Sequence, residues 1–163
     1  MKARPHADRP GRVLVRGVNW LGDAVMTTPA LLRLRQALPD TRITLLTPHK
    51  LADLWTGHPA VNDLLTVSKG CSLTSVARQI RAQGFDVGLV LPNSHRAAVE
   101  LWLGRVPTRI GVAVPWRNWL LTRAIPPLPA RARMRKRPPA GLRGLPAAAS
   151  SADAPARTAL PLR

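Results

Sequence analysis

The sequence predicts an α/β protein built on a Rossmann-like, doubly wound parallel sheet. Short apolar runs alternate with segments of helical periodicity between residues 11 and 125. Two of these runs, Val13–Val15 and Asp86–Leu91, are continuously apolar after their first residues, which is typical of strands covered by helices on both faces. Polar residues follow each of these runs, at the place where ligands bind in open α/β sheets. The order of the elements therefore indicates both a fold and a candidate site.

The first of these units begins with the strand at Val13–Val15 and continues into the polar loop Asn19–Asp23. After the loop, Leu31, Leu34 and Leu38 recur at helical spacing and predict the apolar face of a helix. Strand, loop and helix in this order place the loop at the carboxyl end of the strand. A carboxylate in such a loop suggests a chemical role.

The start of this helix has two interpretations. Asp23 is a suitable cap for a helix that begins at Ala24, and Thr28 is a suitable cap for one that begins at Pro29. With the earlier start, Pro29 removes a backbone donor in the second turn and predicts a kink. Asp23 is thus a helix cap, a functional carboxylate, or both.

The other predicted elements follow in a regular order. They are a strand at 42–47, a short helix at 51–55, a weaker strand at 61–67, a helix at 71–83 stopped by Gly84, a strand at 86–91, a helix at 95–103, a strand at 108–114 and a helix at 116–122. In the usual doubly wound order, the first and fourth strands are neighbours. We therefore expect the loops Asn19–Asp23 and Asn93–Arg96 to face each other across one crevice.

Composition divides the chain into three parts. The whole has 163 residues and is 45% hydrophobic, which is enough for one domain with a core. We expect a flexible N-terminus at 1–10, a Rossmann-like domain at 11–125 and a disordered tail at 126–163, where Pro, Ala, Arg and Gly dominate without periodicity. The tail is either a functional basic arm or the product of a shifted reading frame in GC-rich DNA. We favour the shifted frame, because no packed element can be written for it.

The net charge of +17 indicates an anionic partner without identifying it. Residues 1–130 hold 17 Lys and Arg against 7 acidic residues, and residues 131–163 hold 8 against Asp153 alone. A phosphorylated ligand, an anionic membrane surface and nucleic acid all suit such a surface. The single Cys71 and four scattered histidines predict a reducing compartment and no structural metal. There is no apolar segment typical of a secretory signal or a membrane span.

Several familiar sites are excluded by spacing. The loop after the first strand lacks the G-x-G-x-x-G pattern of dinucleotide-binding proteins, so we expect no nicotinamide cofactor. Gly17 and Gly22 have the spacing of a P-loop, but Asp23 and Ala24 stand where Lys and Ser or Thr are required. The sequence shows neither the spacing of a hydrolase triad nor a D-x-D pair for a metal-held nucleotide sugar.

Four segments carry a resemblance to a known family. RVLVRGVNWLGDAVMTTPAL, ITLLTP, HPAVND and VLPNSHRAAVELWLGRVPTRIGV resemble the ADP-heptose:lipopolysaccharide heptosyltransferases of glycosyltransferase family 9, the type II enzymes in particular. The resemblance covers roughly residues 11–123, and the tail has no counterpart in it. It implies the N-terminal, acceptor-binding half of a GT-B glycosyltransferase, whose other half holds the donor ADP-heptose. We therefore expect this chain to be truncated and inactive alone.

The resemblance also implies a reaction and its partners. Such an enzyme transfers heptose from ADP-heptose to the first heptose of the lipopolysaccharide inner core, without metal or cofactor. The acceptor is heptosyl-Kdo2-lipid A, and the expected place is the cytoplasm, in peripheral contact with the inner membrane. Nucleic acid is not expected as a partner of such an enzyme. The alternative is a basic module that binds nucleic acid or an anionic surface on a Rossmann-like domain.

The site residues follow from position in the family's motifs. Asp23 corresponds to the proposed general base, which takes the proton of the attacking heptose hydroxyl, and a carboxylate at a helix start suits that role. His95 departs from the family, which usually has phenylalanine there. The alternative roles of the second-loop residues are loop closure and helix capping. The residues expected to bind substrate are Asn19, Trp20, Gly22, Asn93, Ser94 and Arg96.

Two further groups of residues have open interpretations. Trp102, Trp116 and Trp119 either pack helices or lie on a membrane-facing surface. Four arginines either form a basic face toward anionic acceptor lipid or are separately solvated, the commoner outcome for surface arginines. These are Arg105, Arg109, Arg117 and Arg123.

Overall fold

The computed structural model of the chain describes residues 10–127. The strands in this range are β1 Arg12–Arg16, β2 Arg42–Pro48, β3 Asp63–Val67, β4 Val87–Val90, β5 Thr108–Val112 and β6 Arg123–Ile125. The helices are α1 Leu21–Ala37, α2 Ala52–Trp55, α3 Leu73–Gln83 and α4 His95–Leu103. Single 3₁₀ turns lie at His49–Leu51 and Asn118–Leu120. No helix among these residues is long and apolar enough to cross a membrane.

All six strands form one parallel sheet in the order β3-β2-β1-β4-β5-β6. Chain order reverses between β1 and β4, so this is the switch point. Arg16, the last residue of β1, lies beside Leu46 of β2 and Val90 of β4. The Rossmann-like fold and the neighbouring positions of the first and fourth strands are therefore confirmed.

The sheet separates two apolar clusters, because alternate side chains of each strand point to opposite faces. In β1, Val13 and Val15 join one cluster and Leu14 joins the other. The first cluster includes Ala24 and Leu31 of α1, together with Trp55 of α2. The second contains residues of α3, of α4 and of the segment after β5, together with the strand residues that they cover. These are Val76, Ile80, Ala97, Ala98, Leu101, Leu120 and Leu121. Helices thus cover both faces.

Two glycines determine where α3 ends and how closely α4 packs against the sheet. Gly84 ends α3 in the left-handed conformation at φ 61°, which residues with a Cβ rarely adopt. Gly88 lies in β4 directly under α4, where a Cβ would be 2.3 Å from Cδ2 of Leu101. The absence of a side chain at Gly88 lets α4 lie close against the sheet.

Two predictions about helices were wrong. α1 begins at Leu21 with Trp20 as its N-cap, so neither Asp23 nor Thr28 caps it, and Pro29 lies inside it. The extended backbone of Trp20 places the helix start two residues before Asp23, and Asp23 falls in the first turn.

The second wrong prediction is the helix at 116–122. Only the 3₁₀ turn Asn118–Leu120 forms there, and β6 follows it as a sixth strand beside β5. Asn118 accepts the backbone N–H of Val114 at 2.8 Å, which closes a turn in place of a helix. Almost all of the predicted flexible N-terminus and of the predicted disordered tail lies outside the described residues.

Candidate functional site

A cavity of about 680 Å³ opens at the carboxyl end of the sheet. Its volume is within the range of small-molecule sites, about 300–1,000 Å³. The lining comes from the ends of β1, β2 and β3 and from the first turns of α4. It consists of Arg16, Asn19, Pro48, His49, Lys50, Val67, Ser68, Lys69, Gly70, Arg96 and Glu100. Four of these residues are cationic and one is acidic, so the cavity favours an anionic ligand.

The loop after β1 contributes one predicted residue directly to the cavity. Asn19 lines it and accepts a hydrogen bond from Nη1 of Arg16 at 3.3 Å. Trp20 lies outside the lining but is linked to it, because Nζ of Lys50 is 5.4 Å from the centre of its ring. Gly22 and Asp23 lie in the first turn of α1 and are exposed, and they do not line the cavity.

The loop after β4 is held by the protein itself. Asn93 accepts a hydrogen bond from Nη2 of Arg117 at 3.2 Å, and Ser94 caps α4 by accepting the backbone N–H of Ala97 at 3.3 Å. Loop closure and capping are therefore roles that the structure gives these two side chains. Arg96 alone of the predicted residues in this loop lines the cavity.

Arg117 is a structural residue that the sequence analysis placed wrongly. It is fully buried and does not belong to a basic surface. Its guanidinium donates to the carbonyl oxygens of Pro92 at 2.6 Å, Ser94 at 3.3 Å and Val112 at 2.9 Å, as well as to Asn93. Burial lowers the pKa of Arg117. These bonds tie the turn after β5 to the loop after β4.

Arg109 is also absent from the expected basic face. Its Nε donates to the carbonyl oxygen of Leu120 at 2.7 Å, so it fastens the 3₁₀ turn to β5. Partial burial lowers the pKa of Arg109. Arg105 and Arg123 are exposed, and they alone of the four arginines remain available at the surface.

A buried carboxylate links the two arginines of the cavity. Glu100, fully buried on α4, accepts hydrogen bonds from Nε of Arg16 at 2.8 Å and from Nε of Arg96 at 3.0 Å. Nη1 of Arg16 also donates to the carbonyl oxygen of Gly17 at 2.7 Å, and Nη2 of Arg96 to that of Cys71 at 2.6 Å. Each guanidinium is therefore held at two sides.

Sequence reasoning missed Arg16 and Glu100. The signals were present, since Arg16 ends an apolar strand and Glu100 interrupts the apolar face formed by Ala97, Ala98 and Leu101. A charged residue at such a place needs a partner, because an isolated buried charge is very unfavourable. Arg96 stands four residues before Glu100 and is the partner that helical spacing suggests.

α4 and the segment after β5 carry an exposed aromatic surface. We define it by Trp102, Trp116 and Trp119, together with His95. The ring centre of His95 is 5.7 Å from that of Trp116 and 6.0 Å from that of Trp119, and Trp119 is 6.2 Å from Trp102. The three tryptophans are 46–66% exposed, so they contact solvent as well as these ring partners.

Comparison with known proteins shows similarity to heptosyltransferases. Lipooligosaccharide heptosyltransferase 2 of Haemophilus ducreyi is 27% identical over 106 residues, which cover 61% of this chain and 30% of that protein. The structure of E. coli ADP-heptose lps heptosyltransferase II is similar with a TM-score of 0.60 and 26% identity, over 68% of this chain and 33% of that one. The described part of the chain is therefore similar to heptosyltransferases in both sequence and fold.

Another comparison shows the same similarity. The glycosyl transferase family 9 protein of Veillonella parvula matches with a TM-score of 0.65 and 29% identity, over 71% of this chain and 35% of the other. No protein-family profile matches the chain. The chain spans about a third of the length of the relatives that it matches. These relatives are glycosyltransferases, and the resemblance found in the sequence is confirmed at that level.

Proposed function

We propose that this chain is the acceptor-binding half of a type II heptosyltransferase of the lipopolysaccharide inner core. The complete enzyme transfers heptose from ADP-heptose to the first heptose of heptosyl-Kdo2-lipid A. The observation that carries the proposal is the cationic cavity at the switch point, in a domain similar in sequence and fold to heptosyltransferases. In open α/β sheets this is the position of the ligand site.

The charge of the cavity suits the proposed acceptor. Lys50, Lys69, Arg16 and Arg96 line it against the single carboxylate of Glu100. Kdo residues carry carboxylates and the inner core carries phosphates, and guanidinium groups bind both through charge-assisted hydrogen bonds. Asn19 adds an amide that can bond a sugar hydroxyl.

Asp23 is the residue that we propose as general base. It is exposed in the first turn of α1, four residues after Asn19, which lines the cavity. A heptose hydroxyl bound beside the cavity would reach it from the solvent side without displacing a buried side chain. In this proposal Asp23 contacts the reacting hydroxyl, and the arginines of the cavity bind the anionic part of the acceptor.

We also propose that the chain alone does not transfer heptose. The matched segment covers only about a third of each relative. The resemblance also implies that the donor site of a GT-B enzyme lies in the second domain. A transferase must hold both substrates together, and this proximity supplies roughly 7–11 kcal/mol of the barrier. Purified chain incubated with ADP-heptose and acceptor is expected to give no product above background, and measurable turnover would contradict this.

The aromatic surface supports a proposed contact with the cytoplasmic face of the inner membrane. Tryptophan is favoured at the boundary between lipid and water, and the three tryptophans are exposed. Arg105 lies next to Trp102, since its backbone N–H donates to the carbonyl oxygen of Trp102 at 3.0 Å. Sedimentation with vesicles of zwitterionic lipid containing about one third anionic lipid tests this. We expect the double variant Trp116→Ser with Trp119→Ser to sediment with the vesicles less than wild type does. Equal sedimentation of the two proteins would exclude the aromatic surface as the membrane contact.

Binding separates this function from the nucleic-acid alternative. The purified chain is titrated with the deacylated heptosyl-Kdo2 saccharide and, separately, with a single-stranded oligonucleotide, each at low and physiological salt. We expect saccharide binding that persists at physiological salt and oligonucleotide binding that disappears, because non-specific phosphate contacts depend steeply on salt. Tight oligonucleotide binding without saccharide binding would favour the basic module and reject the heptosyltransferase proposal.

A further inference from the structure

We propose that Glu100 is a positioning residue, which holds Arg16 and Arg96 as a fixed pair that binds one anionic group in the cavity. Both oxygens of its carboxylate are used, Oε2 by Nε of Arg16 and Oε1 by Nε of Arg96. Glu100 itself is fully buried at the back of the cavity. This inference depends on the proposed function only for the identity of the ligand.

The guanidinium groups keep free donors after these bonds are made. Arg16 uses Nε and Nη1, and Arg96 uses Nε and Nη2. Nη2 of Arg16 and Nη1 of Arg96 have no acceptor within residues 10–127, and neither is a buried atom left unsatisfied. Both residues line the cavity. The free donors are therefore accessible to a ligand there.

Stability alone does not account for the buried pair. Arg16 is 6% exposed and Glu100 fully buried, and ion pairs of this kind are often no more stable than well-packed apolar side chains of similar volume. What the ion pair adds is orientation, because it leaves one Nη group free on each of two guanidinium groups that line the cavity.

The expected ligand is an oxyanion that accepts from two guanidinium groups at once. A phosphate monoester and a sugar carboxylate share this chemistry. Each has at least two oxygens for the two free Nη donors. Inorganic phosphate and the carboxylate sugar Kdo are therefore the two probes that distinguish the sources.

The substitution Glu100→Gln distinguishes two ways in which Glu100 could affect anion binding, through the charge of the cavity or through the positions of the two arginines. The substitution raises the net charge of the cavity by one, so a role of charge alone predicts tighter anion binding. Loss of positioning predicts weaker binding, by about tenfold, because two long side chains must then be ordered by the ligand. Asp86→Asn is the matched control, since Asp86 is exposed at the amino end of β4 and its substitution adds the same charge away from the cavity.

The experiment measures the dissociation constants of inorganic phosphate and Kdo by calorimetry, for wild type and both variants of the full chain. The ¹⁵Nε–¹H signals of Arg16 and Arg96 report the orientation directly. We expect both signals to move in Glu100→Gln and neither to move in Asp86→Asn. Weaker binding of only one probe would support the proposal and assign the ligand to that class.

A second variant covers the case in which Glu100→Gln does not fold. Arg16→Met combined with Glu100→Leu removes both buried charges at similar volume, so the fold is expected to persist. The double variant should bind phosphate more weakly than Arg96→Ala does. It removes the guanidinium of Arg16 and leaves Arg96 without Glu100 to position it, whereas Arg96→Ala keeps Arg16 bonded to Glu100. Wild-type affinity in this double variant, or tighter binding in a folded Glu100→Gln, would overturn the proposal. Arginine-dependent phosphate binding without saccharide binding would reject the acceptor and leave the positioning role intact.

Discussion

The two helices that start at the switch point begin in opposite ways. At α4, Ser94 caps the first turn, and Arg117 holds Asn93 and the carbonyl oxygens of Pro92 and Ser94. At α1, no side chain caps the first turn, and Trp20 is 71% exposed at the N-cap position. The start of α4 is therefore held by side-chain hydrogen bonds, and the start of α1 is not.

This contrast suggests a division of labour in the proposed enzyme. The loop after β4 has a structural role, because the side chains of Asn93 and Ser94 are already used in hydrogen bonds within the fold. The loop after β1 keeps Asp23 exposed and Asn19 at the cavity. Substitutions in the first loop should therefore change function with little loss of stability, and substitutions that release the second should change stability first.

The largest expected effect is on catalysis by Asp23. A chimera is made in which residues 11–125 replace the matching segment of a full-length heptosyltransferase 2. In it, Asp23→Asn should lower the rate of heptose transfer by about 10²–10⁴, the usual effect of losing a general base. The free energy of unfolding should be unchanged, since Asp23 is exposed and does not cap α1. Transfer within threefold of the parent chimera would exclude the role.

The next effect is on stability, at Arg117. Arg117→Ala leaves the carbonyl oxygens of Pro92, Ser94 and Val112 without this donor, and we expect the free energy of unfolding to fall by about 3 kcal/mol. Urea unfolding followed by circular dichroism measures it. Arg123→Ala, at an exposed position of β6, is the control and should stay within about 0.5 kcal/mol. Equal effects of the two changes would show that the loop after β4 is not held in this way.

A smaller effect tests the two N-caps against each other. Ser94→Ala removes the acceptor for the N–H of Ala97 and should cost about 1 kcal/mol. Trp20→Ala removes no side-chain cap and should cost less than about 0.5 kcal/mol, as at other surface positions. Both are measured by the same urea unfolding. A larger loss at Trp20 than at Ser94 would reverse the contrast between the two helix starts.

The sequence predicted most of the fold because its elements are locally encoded. The helix at 95–103 was predicted to the residue, since Ser94 is a strong cap and Gly104 ends the apolar pattern. The start of α1 was missed because Trp20 is not a residue that marks an N-cap. The 3₁₀ turn and β6 were missed because their apolar residues are too few to show a period.

The candidate site was predictable only in part, for a related reason. Asn19 and Arg96 were found because they follow strands in the sequence, and both line the cavity. The ion pair of Arg16 with Glu100 joins residues 84 positions apart, and the bonds of Arg117 to the loop after β4 span 23–25 positions. Such pairs are set by how α4 and the turn after β5 pack on the sheet, which no local pattern specifies.

The smallest effect concerns an exposed ion pair at the amino end of the sheet, in contrast to the buried pair in the cavity. Arg42 of β2 donates to both carboxylate oxygens of Asp63 of β3, at 2.6 and 2.8 Å, and these hydrogen bonds hold the pKa of Asp63 below its usual value. A carboxyl group with a lowered folded pKa stabilises the protein above its unfolded pKa of about 3.9, and this contribution is lost as pH falls through the folded value.

Asp63→Asn should therefore reduce the free energy of unfolding by a small and constant amount between about pH 5 and 7, and by progressively less below about pH 4. The measurement is urea unfolding of wild type and variant across this range at low salt, repeated at high salt, where screening should shrink the difference further because Arg42 is largely exposed. Asp53→Asn, which removes another exposed carboxylate, is the control. A difference at Asp63 that grows as pH falls would mean that the ion pair does not lower the pKa of this carboxyl in the folded protein.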